Sequence, residues 1–382
     1  MNLESKLLIG AIRAAMRGEQ IEAPEQMDWA AFLRLARFHS VEGLVYSGLQ
    51  KDQLPEHVDQ YLRSIYRKIV FRDVQLEHMK AQLQSRLTEA NVPHIFLKGS
   101  CLKYNYPIPA LRTMSDLDIL VRTEDYEKID AVGKALGGEL FTGDGNHRNF
   151  RFPGNVIVEF HPNILHQAAP VGAEINPGWQ YAKKDCSTSS MELTEEGFYL
   201  SIICHMAEHF VSGGIGARFV LDVWVFRNLR KLPIDAAFLE NELKRFRLLE
   251  FTKNIERLAE AWFGDGEMDA LLCELEEYIL TSGSHGTNDR EMLNAISLSK
   301  GGTRSSALWG KVFYPRKELE DRFPWAKGKP WLLPVAWCVR AFKAVTIHGN
   351  HILAWTKGTG DVSADEIMKQ REKMARFGIR GK

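Results

Sequence analysis

The chain has 382 residues, with Lys plus Arg and Asp plus Glu both at 49, so its formal charge at pH 7 is zero. A chain this long can bury a substantial core and hold two or three domains. An even charge balance lacks the basic excess that marks a general nucleic-acid binder. The five cysteines (Cys101, Cys186, Cys204, Cys273 and Cys338) are scattered, odd in number and without a C-x-x-C pair. That usage fits free thiols in a reducing cytoplasm. Near the N-terminus Glu4, Lys6 and Arg13 interrupt any signal-peptide-like apolar run. The longest C-terminal apolar stretch, Trp331 to Val339, is too short to cross a bilayer. There are no internal repeats or low-complexity tracts.

Residues 1–90 read as helical. Asp28 is placed to cap a helix whose apolar stripe runs through Phe32, Leu35 and Ala36 and onward to Val41, Leu44 and Val45. A long helix follows from Glu56 to about Ala90, with Leu62, Ile65, Ile69, Val74, Leu76, Leu83 and Leu87 at helical spacing. Residues 91–190 form a strand-rich core region. Val92 to Leu97 reads as a strand, broken at Gly99-Ser100, and Cys101 to Tyr106 is helix-compatible. Asp116 to Val121 is a second strand, followed by a helix from about Glu124 to Leu136 that stops at Gly137-Gly138. Asn149–Phe152 and Val156–His161 read as a hairpin around Pro153-Gly154-Asn155. Helices resume over 191–300, with loops at 283–287 and 301–303. Residues 301–382 hold an aromatic-rich helical segment, about Pro330 to Trp355, and a basic tail from Lys369 that reads as a partly frayed helix.

The chemistry concentrates in two places. An apolar run ends in Lys98-Gly99-Ser100, a turn whose backbone N–H groups can face a phosphate. It is not a Walker A loop, because Lys98 precedes Gly99. Asp116 and Asp118 then open an apolar strand, and a side-chain period of two aims both to one side. Two carboxylates so close repel unless a divalent cation lies between them, and Mg²⁺ prefers oxygen ligands. The ordinary alternative is a solvated strand edge. On Val156–His161, alternation puts Ile157, Glu159 and His161 on one face and Val156, Val158 and Phe160 on the other. If this strand lies beside Asp116–Val121, Glu159 completes a three-carboxylate cluster suited to two metals. On an exposed sheet face it would instead be a solvated acid. The combination points to metal-assisted phosphoryl or nucleotidyl transfer. Lys98 and Arg112 are further phosphate candidates, with surface solvation as their ordinary reading.

These residues resemble the uncharacterised nucleotidyltransferase family of bacteria, a branch of the DNA-polymerase-β-like nucleotidyltransferase superfamily. The matching text is Leu97-Lys98-Gly99-Ser100, Tyr106-Pro107, Arg112 and Ser115-Asp116-Leu117-Asp118-Ile119-Leu120-Val121. Weaker matches flank it: Trp29 to Leu49 with His39-Ser40-Val41; His205, Arg218, Leu221 and Asp222; Phe313-Tyr314-Pro315; and Trp331-Leu332-Leu333-Pro334. Coverage is most of 25–345. The spacer from Ser100 to Asp116 is longer than is usual elsewhere in the superfamily and fits this branch. The resemblance implies an α+β fold, a small mixed β-sheet nucleotidyltransferase core flanked by N- and C-terminal helical regions. It implies catalytic and metal-holding roles for Asp116, Asp118 and Glu159, with Glu159 as the candidate base. Nucleotide binding would fall to Lys98, Gly99, Ser100, Arg112, His205, Arg218 and Asp222. Arg218 would contact the triphosphate while Asp222 orients it; the ordinary reading of that pair is an i,i+4 ion pair. The implied cofactor is Mg²⁺, two ions, with Mn²⁺ as a substitute. The implied partners are an NTP such as ATP and an unidentified acceptor: a small molecule, peptide or protein, with an RNA end disfavoured by the neutral charge.

Two other function classes compete. His205-Met206-Ala207-Glu208-His209 spells H-x-x-E-H, so a zinc metallopeptidase would use both histidines, Glu208 as base and Glu276 or Glu277 as third ligand. The ordinary reading of His209 is an exposed helical histidine. A non-catalytic nucleotide-binding regulator is the other; there Asp116→Ala would leave the biological phenotype intact.

Overall fold

The computed structural model describes residues 1–141, 147–164, 178–183, 189–284, 288–299, 323–340 and 363–380, with positions 303, 316, 319 and 342. The expectations on Cys186, Phe313-Tyr314-Pro315, Gly301-Gly302 and the part of the Pro330-to-Trp355 segment beyond position 342 lie outside these residues, while 333–340 is helical as expected.

Four helices come first: α1 (Leu3–Arg17), α2 (Trp29–Phe38), α3 (Glu42–Gly48) and α4 (Glu56–Glu89). Asp28 caps α2 as expected, accepting from the Ala31 N–H at 2.9 Å. The stripe from Phe32 to Val45 does not lie on one helix, however. Ser40 turns to φ 56° between α2 and α3, where an unbroken helix cannot continue. The central block holds β1 (His94–Phe96), α5 (Gly99–Leu102), β2 (Asp116–Leu120), α6 (Tyr126–Ala135), β3 (Glu139–Phe141), β4 (Arg148–Phe152), β5 (Val156–His161) and β6 (Ser190–Met191). Helices follow: α7 (Glu195–Val211), α8 (Ala217–Asn228), α9 (Ala236–Arg245), α10 (Leu249–Phe263), α11 (Ala270–Leu280), α12 (Asn288–Ser297) and α13 (Ala364–Arg376).

The six strands form one mixed sheet in the order β3-β4-β5-β2-β1-β6. β2 runs parallel to β5, with Asp118 opposite Glu159 and Leu120 opposite His161. β4 and β5 form the expected hairpin, antiparallel through Phe150 and Val158. Period-two alternation then sorts the two faces. Leu117, Ile119, Val156, Val158 and Phe160 pack under Leu76, Met79, Leu83 and Leu87 of α4 and Ile129 and Val132 of α6. Burial of such side chains stabilises by roughly 1.5–3 kcal/mol each, which pins the register, since a one-residue slip would invert every side chain. The carboxylates are thereby held on the opposite face. Arg72 of α4 fastens the edge of this arrangement: its guanidinium donates to the carbonyls of Ser115, Gly154 and Asn155 at 2.9, 3.2 and 3.0 Å. It ties the start of β2 to the β4–β5 turn.

A second apolar cluster joins α1, α2 and α3 to α7, α8, α10 and α11, running from Leu7 to Ile379. The basic tail reads differently from the sequence expectation. α13 is closed at its start by a full capping box between Ser363 and Glu366. Met374, Phe377 and Ile379 then insert into the second cluster, beside Phe210 and Tyr278. No helix among the described residues is long and apolar enough to cross a membrane.

Candidate active site

The carboxylate face of the sheet closes against α7 and α8 to form a cavity of about 260 Å³. All ten residues expected to serve nucleotidyl transfer line it: Lys98, Gly99, Ser100, Arg112, Asp116, Asp118, Glu159, His205, Arg218 and Asp222. Met114, His209 and Phe219 are also in its lining.

The turn between β1 and α5 is tight. Lys98 takes φ 52° and ψ −125°, a backbone conformation that L side chains rarely adopt. A side chain on Gly99 would place its Cβ 2.5 Å from Arg112 Nη1 and 2.8 Å from Met114 Sδ, so it would have to displace the Arg112 guanidinium that holds Asp222. The Ser100 hydroxyl donates to the Leu97 carbonyl at 2.8 Å. The turn therefore offers a ligand its first helical N–H groups, which have no partner within the helix, rather than that hydroxyl.

Lys98 Nζ lies 2.9 Å from Asp118 Oδ1, and His161 Nε2 contacts the same oxygen at 2.9 Å. Burial raises the Asp118 pKa, but Lys98 and His161 outweigh it and hold the carboxyl well below its usual range. Asp116 goes the other way. Burial first, and then repulsion from Asp118 and Glu159, push its carboxyl up to about 6. Among the described residues Lys98 is the one ammonium paired into this group of three carboxylates, at Asp118, and Asp116 and Glu159 add negative charge that a divalent ion would offset. Ligand atoms of Asp118, Glu159 and His161 lie within 4.8 Å of one another.

The opposite wall carries buried positive charge. Arg112 is buried, not solvated; its Nε and Nη2 donate to both oxygens of Asp222 at 3.0 and 2.6 Å, and Tyr106 donates to the same carboxylate at 2.6 Å. Lys98 is likewise largely buried, its side chain 11 % exposed. Asp222 therefore does not pair with Arg218 one turn back on α8, although both face the cavity. Arg218 instead donates to the Thr113 carbonyl at 2.6 Å, and its Nε is buried without a hydrogen-bond partner among the described residues. Burial and the neighbouring Arg112 lower the Arg218 pKa to about 10. It stays charged at neutral pH, a buried cation aimed at a cavity.

Behind this wall, His39 ties three segments together. The Ala217 N–H at the start of α8 donates to its Nδ1 at 3.2 Å, which leaves Nε2–H to donate to the Leu280 carbonyl at 3.2 Å. The Thr113 hydroxyl donates to the Ser40 carbonyl at 3.1 Å, so the α2–α3 break supports the loop that carries Arg112.

His205 and His209 share one face of α7, ring centroids 4.4 Å apart, with Phe219 5.9 and 5.5 Å away. Both are half-buried on the cavity wall rather than exposed. The metallopeptidase's third ligand does not join them. Glu276 is buried elsewhere, accepting from Trp262 Nε1 at 2.9 Å, and Glu277 is exposed. Among the described residues the one group of three metal-type ligands is Asp118, Glu159 and His161. His161 was legible only as a neighbour on the Glu159 face; its place two residues beyond Glu159 was the available signal.

A mixed sheet bearing paired acids across from a Gly-Ser turn defines a nucleotidyltransferase-type core. A family model described as an uncharacterised nucleotidyltransferase matches residues 25–264, and the chain belongs to that family. Neither a curated protein nor a solved structure matches it.

Proposed function

We propose that this chain transfers a nucleoside monophosphate from an NTP to an acceptor, with release of pyrophosphate. The observation that carries the reading is the parallel pairing of β2 with β5. It sets Asp118 directly opposite Glu159, with Asp116 on the same face, across one cavity from the Lys98-Gly99-Ser100 turn and Arg218. Membership of a nucleotidyltransferase family supports the kind of reaction.

In this reading Asp116, Asp118 and Glu159 hold divalent metal, Mg²⁺ or Mn²⁺. When bound, the metal neutralises charge on the α-phosphate and activates the attacking oxygen. The backbone of Gly99 and Ser100 holds the phosphate chain, and Lys98 and Arg218 bring positive charge to it. Arg112 and Asp222 act at one remove: their paired charges fix the wall from which Arg218 projects. His205 and Phe219 flank the nucleotide. Glu159 takes the proton of the attacking group. Most of the acceleration comes from positioning and charge neutralisation. The acceptor offers a hydroxyl, amine or phosphate on a small molecule, peptide or protein.

The test uses each NTP labelled at the α-phosphate, with Mg²⁺ and cell extract. Label moving to an acceptor with wild type, and not with Asp116→Ala/Asp118→Ala, supports the reading. Transfer of a γ-label instead would make the enzyme a kinase.

A further inference from the structure

His161 stands in a place that three carboxylates alone do not explain. The β5 alternation puts it on the same sheet face as Glu159, and the pairing with β2 sets it opposite Leu120, at the end of the strand that carries Asp118. Its Nε2 is 2.9 Å from Asp118 Oδ1 and 3.4 Å from Glu159 Oε2. Metal–oxygen and metal–nitrogen bonds run about 2.0–2.2 Å, so two neighbouring ligand atoms on one ion lie about 3 Å apart and no two lie more than roughly 4.4 Å apart. His161 Nε2 meets that spacing to both carboxylates, and ligand atoms of the three side chains all lie within 4.8 Å of one another. Asp116 is absent from the group, although it lies two residues from Asp118.

The far side of the ring is also held. His161 Nδ1 lies 3.0 Å from Nδ1 of His147, and the rings meet edge to face with centroids 4.9 Å apart. Two ring nitrogens in contact share one proton. Without an ion, His161 Nε2–H bonds Asp118 Oδ1; when His161 Nδ1 donates to His147, Nε2 would instead present an electron pair to an ion held by Asp118 and Glu159. An imidazole with one nitrogen aimed at an ion and the other fixed by a hydrogen bond is the arrangement that orients metal-binding histidines. The ring is buried, so this orientation is fixed by packing as well.

We propose that His161 is a nitrogen ligand to the ion held by Asp118 and Glu159, with His147 as its positioning residue. A mixed oxygen–nitrogen set favours Mn²⁺ and other first-row ions over Mg²⁺, which prefers oxygen alone. The inference rests on the metal-dependent reading above and changes which metal serves it best.

The test is pulsed electron paramagnetic resonance on the full chain, stripped by chelator and loaded with Mn²⁺. Nitrogen hyperfine coupling on the bound ion is expected in wild type. In His161→Gln the coupling is lost and Mn²⁺ binds about tenfold or more weakly, on the scale of losing one ligand or its support. His147→Gln keeps the coupling but weakens binding. Bound Mn²⁺ with oxygen coordination only, in wild type, overturns the proposal and leaves the nucleotidyl-transfer reading standing. So does coupling that survives His161→Gln and disappears in His205→Gln. Failure of wild type to bind Mn²⁺ at all overturns both. Because the wild-type spectrum alone can decide, the test does not depend on any variant folding.

Discussion

Arg112 and Asp222 are 110 residues apart in the chain and meet through two hydrogen bonds, at 3.0 and 2.6 Å, in a buried wall of the cavity. This contact joins the loop before β2 to α8, and so fastens the sheet to the helices that face it. Arg218 lies close enough that Arg112 lowers its pKa, so Asp222 compensates two buried cations. Asp222→Asn keeps the shape and removes that compensation. It is expected to destabilise the fold by about 3–5 kcal/mol, the scale for breaking a buried ion pair from one side. Arg112→Met/Asp222→Leu should recover much of the loss. Urea unfolding midpoints measure both. A single variant as stable as wild type contradicts the assignment.

Lys98 carries a strained backbone, which separates its fold cost from its chemistry. Lys98→Gly and Lys98→Ala both remove the ammonium group paired with Asp118. Only glycine relaxes the φ 52° conformation. Lys98→Gly should therefore be more stable than Lys98→Ala by about 1 kcal/mol, while both bind NTP more weakly than wild type. Thermal unfolding and equilibrium NTP binding check the two halves.

His39 makes stability depend on pH. Burial lowers its pKa from 6.5 to about 4, against the opposing pull of the Leu280 carbonyl. Between those values the unfolded chain binds a proton that the folded chain does not. The contribution is therefore fully present above about pH 6.5 and is lost as pH falls toward 4, up to about 3 kcal/mol. His39→Gln should flatten the slope of stability against pH between 4 and 6.5 relative to wild type. An unchanged slope would show that His39 titrates normally.

The C-terminal helix is held by apolar contacts. Phe377 is fully buried, with ring centroids 6.0 Å from Phe210 and 5.6 Å from Tyr278. Phe377→Ala is expected to cost about 3–5 kcal/mol. Removing the charge of Lys369 or Arg371, both outside that contact, should cost under about 0.5 kcal/mol. Denaturant titration of the three variants orders them.

Local pattern carried much of the site into the sequence. A period of two placed Asp116, Asp118 and Glu159 on strand faces, and Pro153-Gly154-Asn155 announced the hairpin. What pattern could not supply was pairing at long range. The partner of Asp222 is Arg112 from the loop before β2, not Arg218 on its own helix, and the pairing is bidentate and buried. β3 and β6 are three and two residues long and exist through their neighbours, without a strand signal of their own. The break at Ser40 has the same origin: propensity runs on, while the His39 hydrogen bonds to Ala217 and Leu280 require a turn. Met374, Phe377 and Ile379 sit among so many charges that the tail read as a partly frayed helix.

The most direct measurement of the central claim is the phosphate product released per acceptor modified. With NTP, divalent metal and a competent acceptor, the enzyme is expected to release pyrophosphate in step with α-phosphate label transferred, and Asp118→Asn should abolish both. Release of orthophosphate in place of pyrophosphate, or undiminished turnover in Asp118→Asn, would contradict it.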